Sequence, residues 1–370
     1  MRIGTAAFAA ALLMLSAAAA ADQPPLYKQH GDWSGRCMST GLCVIASGPV
    51  EIVRGWAWDA KPLVCYYGAG DGEGELAVDI DGQAYPVVAD PSLVGAQQIA
   101  AGHHAFDAYV RQQGRSGRAA CRPAAADTKL LKALGTSRQA IIRRSGRAEP
   151  LSLAGFVALA EWMDARQERT ATSGALLKAG SADAQDAPHA APLLRSDPLP
   201  RAVEAVYAAP AAACATIRPD NFDGAGAARI ALGGGTELFL LPCGEPGANQ
   251  PMLAVTLLPD GRAINQRLEL VSDGKRLAAI GGMNLVWDGR DRRLVGRQSM
   301  GYTCAVETQW RPAGDRFELV SQTREIGCTR PDAADAQAWA AVWPAAAEGG
   351  APAATPGALD RLGGSTIPGK

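Results

Sequence analysis

Histidine is scarce in this chain, with four residues in 370. His30 lies near the expected mature N-terminus and His189 in a Pro-rich connector, which leaves little material for imidazole acid–base chemistry. The adjacent His103-His104 does not complete a metal site, because neighbours in a strand point to opposite faces and two ligands are too few. The sequence also lacks a G-x-S-x-G elbow, a Walker loop and an H-E-x-x-H helix, and with them the commonest hydrolase, nucleotide and zinc-protease readings. C-x-x-C is missing too, so the cysteines read as structural rather than redox-active. Ser272-Asp-Gly-Lys275 formally matches S-x-x-K, yet Asp-Gly between two strand-like stretches reads as a hairpin turn. Net charge is close to nil, at −1, which gives no global reason to expect nucleic acid.

A long apolar run occurs once, at the N-terminus. Arg2 precedes Ala6 to Leu15, and the run closes in the small-residue tract Ala17 to Ala21. It falls short of the about 20 apolar residues of a membrane span. The pattern predicts a secretory signal peptide over residues 1–21, cleaved near Ala20 or Ala21, with no cysteine close behind for a lipid anchor. No later segment is apolar enough to cross a bilayer, so the expected mature chain has no transmembrane segment and is soluble, exported and periplasmic.

Eight cysteines suit that compartment: Cys37, Cys43, Cys65, Cys121, Cys214, Cys243, Cys304 and Cys328. Eight allow about 105 pairings. The economical set keeps bridges within each half of the chain: Cys37 with Cys43, Cys65 with Cys121, Cys214 with Cys243, and Cys304 with Cys328. Their spacings lack the paired C-x2-C knuckles of structural zinc, so neither metal nor cofactor is expected.

The strongest helical pattern begins at Leu151. Leu153, Phe156, Val157, Ala160 and Met163 recur at helical spacing, with Leu159 and Trp162 on the shoulder of that face and Ser152 placed to cap the start. A helix is expected over 153–168, and a shorter one from Ser173 to Gly180. Strand patterns dominate elsewhere. Before the helix they include the pieces around Cys37 and Cys43, the alternating Gly74 to Ile80 before the hairpin turn Asp81-Gly82, and a pair at Gln139 to Arg144 and Glu149 to Leu153, with a short helix at Lys129 to Ala133. After an Ala/Pro/Asp-rich connector they run through Cys214 to Arg218, Ala228 to Leu232, Thr236 to Cys243, Met252 to Leu258, Ile264 to Leu270 and Asn284 to Trp287, with turn pairs such as Asp260-Gly261 and Asp288-Gly289 between them. Leu294 to Met300, Cys304 to Trp310 and Arg316 to Thr323 extend the series.

The expected fold is mainly β: two antiparallel β-rich domains, sandwich or barrel-like, joined through the central helix and stapled by disulfides. The expected divisions are an N-terminal domain over 22–180, a linker over 181–200, a C-terminal domain over 201–330, and a mobile tail over 331–370 anchored by Trp339 and Trp343.

Charge is unevenly spread. Between Arg111 and Arg147 the chain carries ten basic residues against Asp127 alone, Arg111, Arg115, Arg118, Arg143 and Arg144 among them. Asp71, Glu73, Glu75, Asp79 and Asp81 form an acidic counterpart upstream. The plainer account is two solvated surfaces that neutralise each other. The sharper one is an anion-binding face for a polyanion or an acidic envelope protein. The basic run lacks the interleaved aromatics of nucleic-acid binding.

The run Trp162-Met-Asp164-Ala-Arg166-Gln167-Glu-Arg169, with Ala175-Leu176 and Gly180, resembles the central signature of the exported proteobacterial family called Domain of Unknown Function 1176. Asp32-Trp33 before Cys37-x5-Cys43, Phe239-Leu-Leu-Pro-Cys243, and Val286-Trp287-Asp288-Gly289 are similar to its other marks. After Cys243 this chain has Gly247-Ala-Asn249 where the family pattern sets an aromatic beside an asparagine. The segment through Leu151-Ser-Leu-Ala-Gly-Phe156 also resembles the end of an invasion-associated locus B domain. Neither resemblance implies a reaction. Asp164, Arg166, Gln167 and Arg169 are candidate contacts to a ligand or partner; the competing account has them bond the helix to strands of both domains. The functional expectation is a non-catalytic binding or interaction module of the cell envelope, with an envelope-acting hydrolase as the alternative.

Overall fold

The computed structural model describes residues 26–48, 50–55, 62–66, 76–86, 120–123, 128–144, 146–185, 190–212, 214–219, 222, 226–244, 249–272, 274–299, 305–325 and 339–343. The first half holds strands β1 (Tyr27–His30), β2 (Trp33–Cys37), β3 (Cys43–Ser47), β4 (Val50–Arg54), β5 (Leu63–Tyr66), β6 (Leu76–Ile80), β7 (Gln83–Pro86), β8 (Ala120–Pro123), β9 (Gln139–Arg144) and β10 (Arg147–Ser152). They form two antiparallel sheets, in the orders β1-β2-β3-β4-β5-β8 and β10-β9-β6-β7. Asp81-Gly82 turns β6 into β7, as its chemistry predicts.

The central helix, Phe156–Arg166, packs on the first of these sheets and buries Phe156, Leu159, Ala160, Trp162 and Met163. Its phase differs from the expected one. Val157 is exposed, whereas Leu159 and Trp162 are inside. The reason lies in β2, where a Cβ on Gly35 would stand 2.5 Å from the Trp162 ring and 2.7 Å from Leu159. A side chain there would push the helix off the sheet. Trp33 meets Phe156 edge-on at 5.1 Å and donates its indole N–H to the Ser152 carbonyl at 2.9 Å. Burying two such rings stabilises the fold by about 1.5–3 kcal/mol each.

The helix also starts later than expected, and without a side-chain cap. Ser152 is the last residue of β10, paired with Gln139. The cap position belongs to Gly155, at φ 97°, where a Cβ would lie 1.8 Å from the His30 carbonyl oxygen. Backbone meets backbone there, and Asp32 donates its N–H to the Ala154 carbonyl at 3.0 Å. The expected helix from Ser173 to Gly180 does not form; that segment is a chain of turns.

The second half holds β11 (Ala191–Pro192), β12 (Ala228–Gly233), β13 (Thr236–Pro242), β14 (Pro251–Leu257), β15 (Ala263–Asn265), β16 (Arg267–Ser272), β17 (Lys275–Ile280), β18 (Gly282–Met283), β19 (Val286–Asp288), β20 (Arg293–Ser299), β21 (Ala305–Ala313), β22 (Arg316–Glu325) and β23 (Trp339–Trp343). One sheet runs β11-β12-β13-β14-β15 with β18 also on β14, another runs β19-β20-β21-β22-β23, and β16-β17 is a hairpin. Among the described residues none of these sheets closes into a barrel. Ser272 and Lys275 face each other across the β16–β17 turn, which is the hairpin their sequence implies.

Three local features depart from the expected pattern here. Ile264 to Leu270 is two strands, because the chain breaks at Gln266 and its buried amide turns to Thr256 and to the Asp315 carbonyl. Cys214 to Arg218 is irregular apart from one bridge between Ile217 and Cys243. A helix at Arg201–Tyr207 forms in a stretch for which no element was expected. Its Tyr207 is fully buried, donates its hydroxyl to the Pro242 carbonyl and accepts the Arg218 N–H at 2.8 Å; burial pushes the phenol up to about 12.

Disulfides join Cys37 to Cys43 and Cys214 to Cys243. Strand register sets Cys65 directly opposite Cys121. Cys304 and Cys328, His103-His104 and His189 lie outside the described residues.

Candidate functional site

The family-like signature leads to a polar junction at the C-terminal end of the central helix. Arg54, the last residue of β4, is 1% exposed. Its Nε donates to Gln167 Oε1 at 2.5 Å, its Nη1 to the Gly174 carbonyl at 3.1 Å, and its Nη2 lies 2.8 Å from Asp164 Oδ1. The Asp164 carboxylate accepts the Leu176 N–H at 2.9 and 3.1 Å. Gln167 Nε2 points at three carbonyls, Gly41 at 2.9 Å, Gly55 at 3.0 Å and Arg54 at 3.1 Å. Arg169, fully buried, reaches the Gly55 carbonyl at 3.5 Å. Burial pushes the Asp164 carboxyl up and the Arg54 guanidinium down, and each supports the charge of the other. These bonds also explain the missing second helix. Leu176 N–H and the Gly174 carbonyl find their partners in side chains rather than in helical neighbours.

Arg166 faces the other way, into the second half. Its Nη1 and Nη2 lie 3.1 and 3.3 Å from the two oxygens of Asp288, the last residue of β19. Both side chains are buried, at 7% and 8% exposure. This is the two-pronged geometry to which a guanidinium is suited. Asp288 Oδ1 also accepts the Arg290 N–H at 3.2 Å, and Arg290 Nη2 pairs with Glu168 Oε1 at 2.8 Å. The loop closed by Cys37–Cys43 completes the junction. Ser39 Oγ accepts the Trp287 N–H at 2.8 Å, and the Ser39 carbonyl accepts the Ala190 N–H at 2.7 Å. Val286 and Val295 enter the hydrophobic core of the first half.

The space left among Ser39, Arg166, Trp287, Asp288 and Arg290 is about 20 Å³, enough for one or two waters at about 10–15 Å³ each and no substrate. Chemically, this arrangement is suited to holding two halves together.

The sequence-derived candidates therefore separate into two groups. Asp164, Arg166, Gln167 and Arg169 come together at the junction. Arg143 stands apart on β9, more than half exposed, with Nη2 2.9 Å from Asp79 Oδ2 on β6. Arg144 is on the same strand, opposite Leu76 and Arg147. Arg111, Arg115 and Arg118 lie outside the described residues, as do Asp71, Glu73 and Glu75. Asp81 accepts a hydrogen bond from the Ser137 hydroxyl at 2.9 Å.

Sequence reasoning missed Arg54 and Ser39. Nothing in the pattern around Arg54 distinguishes it from a surface arginine, whereas Ser39 lies inside the quoted Cys37-x5-Cys43 motif. Asn249, in the segment that departs from the family pattern, holds the end of β20 through Ser299, donating to its carbonyl at 2.8 Å and accepting its N–H at 2.6 Å. Among the described residues no group of three or more His, Cys, Asp or Glu stands ready for a metal, and no helix is long and apolar enough to cross a membrane.

A model of the family described as "Protein of unknown function (DUF1176)" matches residues 27–346, a span that contains every residue of this junction. No curated protein and no solved structure matches the chain.

Proposed function

The chain belongs to the DUF1176 family of proteins of unknown function, and from that membership we propose that it is an exported, periplasmic binding or interaction module of the cell envelope rather than an enzyme. The observation that carries this reading is the destination of the signature residues: Asp164, Arg166 and Gln167 are engaged in bonds that join strands, helix and second half. Groups held in that way position a scaffold and do not exchange protons with a substrate. Two disulfides support an oxidising compartment. The contact face is the basic run that includes Arg111, Arg115, Arg118, Arg143 and Arg144, and the partner is an acidic envelope protein or polyanion.

The test is capture from periplasmic extract and purified envelope fractions by the oxidised mature protein, at low and high salt. Capture that disappears at high salt supports the basic face as the contact. Absence of capture, together with turnover in a screen of envelope substrates, would overturn the reading.

A further inference from the structure

The loop between β2 and β3, residues 38–42, is closed at its base by Cys37–Cys43, which stand opposite each other in the strand register. Hairpin loops ordinarily face water, but this one is inside: Ser39, Thr40 and Leu42 are all buried. Two backbone bonds shape it, from Met38 N–H to the Leu42 carbonyl at 2.8 Å and from Gly41 N–H to the Met38 carbonyl at 2.9 Å. Its remaining polar groups go to other parts of the chain. The Gly41 carbonyl accepts the Gln167 amide from the central helix, and Ser39 accepts the Trp287 and Ala190 N–H groups. Ala190 and Trp287 are themselves buried. If the loop loses its shape, two inward-facing donors on the far side of the join lose their acceptors, which is costly away from water.

The bridge faces the same join. Cys37 and Cys43 share a hydrophobic cluster with Val286 and Val295 of the second half, and they line the small junction cavity together with Trp287 and Asp288. Cys214–Cys243 differs, because its cluster is drawn wholly from the second half. We propose that Cys37–Cys43 is a redox latch on the join: the bond holds the loop in the shape that docks, and docking shields the bond from reductant. A cross-link closing so short a loop disfavours its open forms by about thirtyfold on the chain-entropy model. Release needs two electrons from a dithiol reductant. Its thiolate attacks one sulfur of the bridge, forming a mixed disulfide and expelling the other cysteine as a thiolate. The reductant's second thiolate then closes on its own first sulfur and expels the remaining cysteine. Both cysteines take up the protons given up by the reductant, which leaves two thiols on the chain and one disulfide on the reductant. The latch goes beyond the binding role proposed above and stands whichever partner the basic run takes.

The experiment uses the full mature chain. Amide hydrogen exchange is read in the oxidised wild type and in a variant carrying Cys37→Ala with Cys43→Ala. Exchange at Ala190 and Trp287, the two N–H groups held by Ser39, is expected to rise by about tenfold or more, while the paired amides of β13 and β14 keep their protection. The second arm is Ser39→Ala, which removes the acceptor of the Trp287 N–H and leaves both cysteines in place. Timed reduction by dithiothreitol is trapped by alkylation and read at each cysteine by peptide mass spectrometry. It should run about fivefold faster at Cys37–Cys43 than in the wild type, and at an unchanged rate at Cys214–Cys243. A double-cysteine variant that fails to fold loses protection in β13 and β14 as well, and Ser39→Ala then decides alone. Unchanged exchange at Ala190 and Trp287 in a folded variant, or equal reduction rates at Cys37–Cys43 with and without the Ser39 hydroxyl, would overturn the latch.

Discussion

Two arginine–aspartate pairs of the same chemistry sit in opposite surroundings. Arg166 and Asp288 are both more than nine-tenths buried and join the central helix to β19, whereas Arg143 is 55% exposed and pairs with Asp79 across neighbouring strands of one small sheet. An exposed pair contributes about 0–1 kcal/mol, because water and salt already solvate and screen both charges. A buried pair is different. Its net worth against an apolar replacement can be small, but removing one partner leaves the other charged and desolvated, at a cost of about 3–5 kcal/mol. Charge composition therefore says little about which arginines hold the molecule together; burial decides it.

The largest effect should come from the inner end of the junction. Asp164→Ala leaves Arg54 buried with its counter-charge gone and Leu176 N–H without its acceptor. A loss of about 3–5 kcal/mol is expected in urea unfolding. Unchanged stability and unchanged protease resistance would remove Asp164 from the account.

A buried hydroxyl provides the intermediate case. Tyr207→Phe deletes the hydrogen bond to the Pro242 carbonyl and the acceptor for Arg218 N–H, for a loss of about 1–3 kcal/mol. It carries a pH signature as well. The phenol titrates at about 12 in the fold against the ordinary 10.0, so the folded state holds this proton more tightly than the unfolded one. Its contribution is fully present below pH 10 and is lost as pH rises from 10 toward 12. Stability measured across that window should fall in the wild type and fall less steeply in Tyr207→Phe. Parallel curves would contradict the assignment.

The smallest effect belongs to the exposed pair. Asp79→Ala should change stability by less than about 1 kcal/mol, and by less still at high salt. A loss as large as that of Asp164→Ala would erase the distinction between the two regions.

Much of the strand pattern was readable because turns have local chemistry. Asp81-Gly82, Asp260-Gly261 and Asp288-Gly289 all mark the ends of strands that form. The disulfides Cys37–Cys43 and Cys214–Cys243 also match the economical pairing. Helix boundaries were less readable, since the causes lie far away in sequence. Gly35 sets which face of the helix is inside, and the His30 carbonyl excludes any residue but glycine at position 155. The turns after Arg169 replace an expected helix because Arg54 and Asp164 satisfy their backbone groups. For the junction, the residue types were visible in Asp164, Arg166, Gln167 and Asp288, but which partner each takes depends on packing. Arg54 carried no local signal at all.

The central claim is that the signature on the helix joins the two halves, and a double-mutant cycle between Arg166→Ala and Asp288→Ala tests it most directly. Urea unfolding of the wild type, both single variants and the double variant would give the coupling energy. A coupling of about 2 kcal/mol or more is predicted for this buried, two-pronged pair. Additive losses, with a coupling within about 0.3–0.5 kcal/mol of zero, would contradict the account.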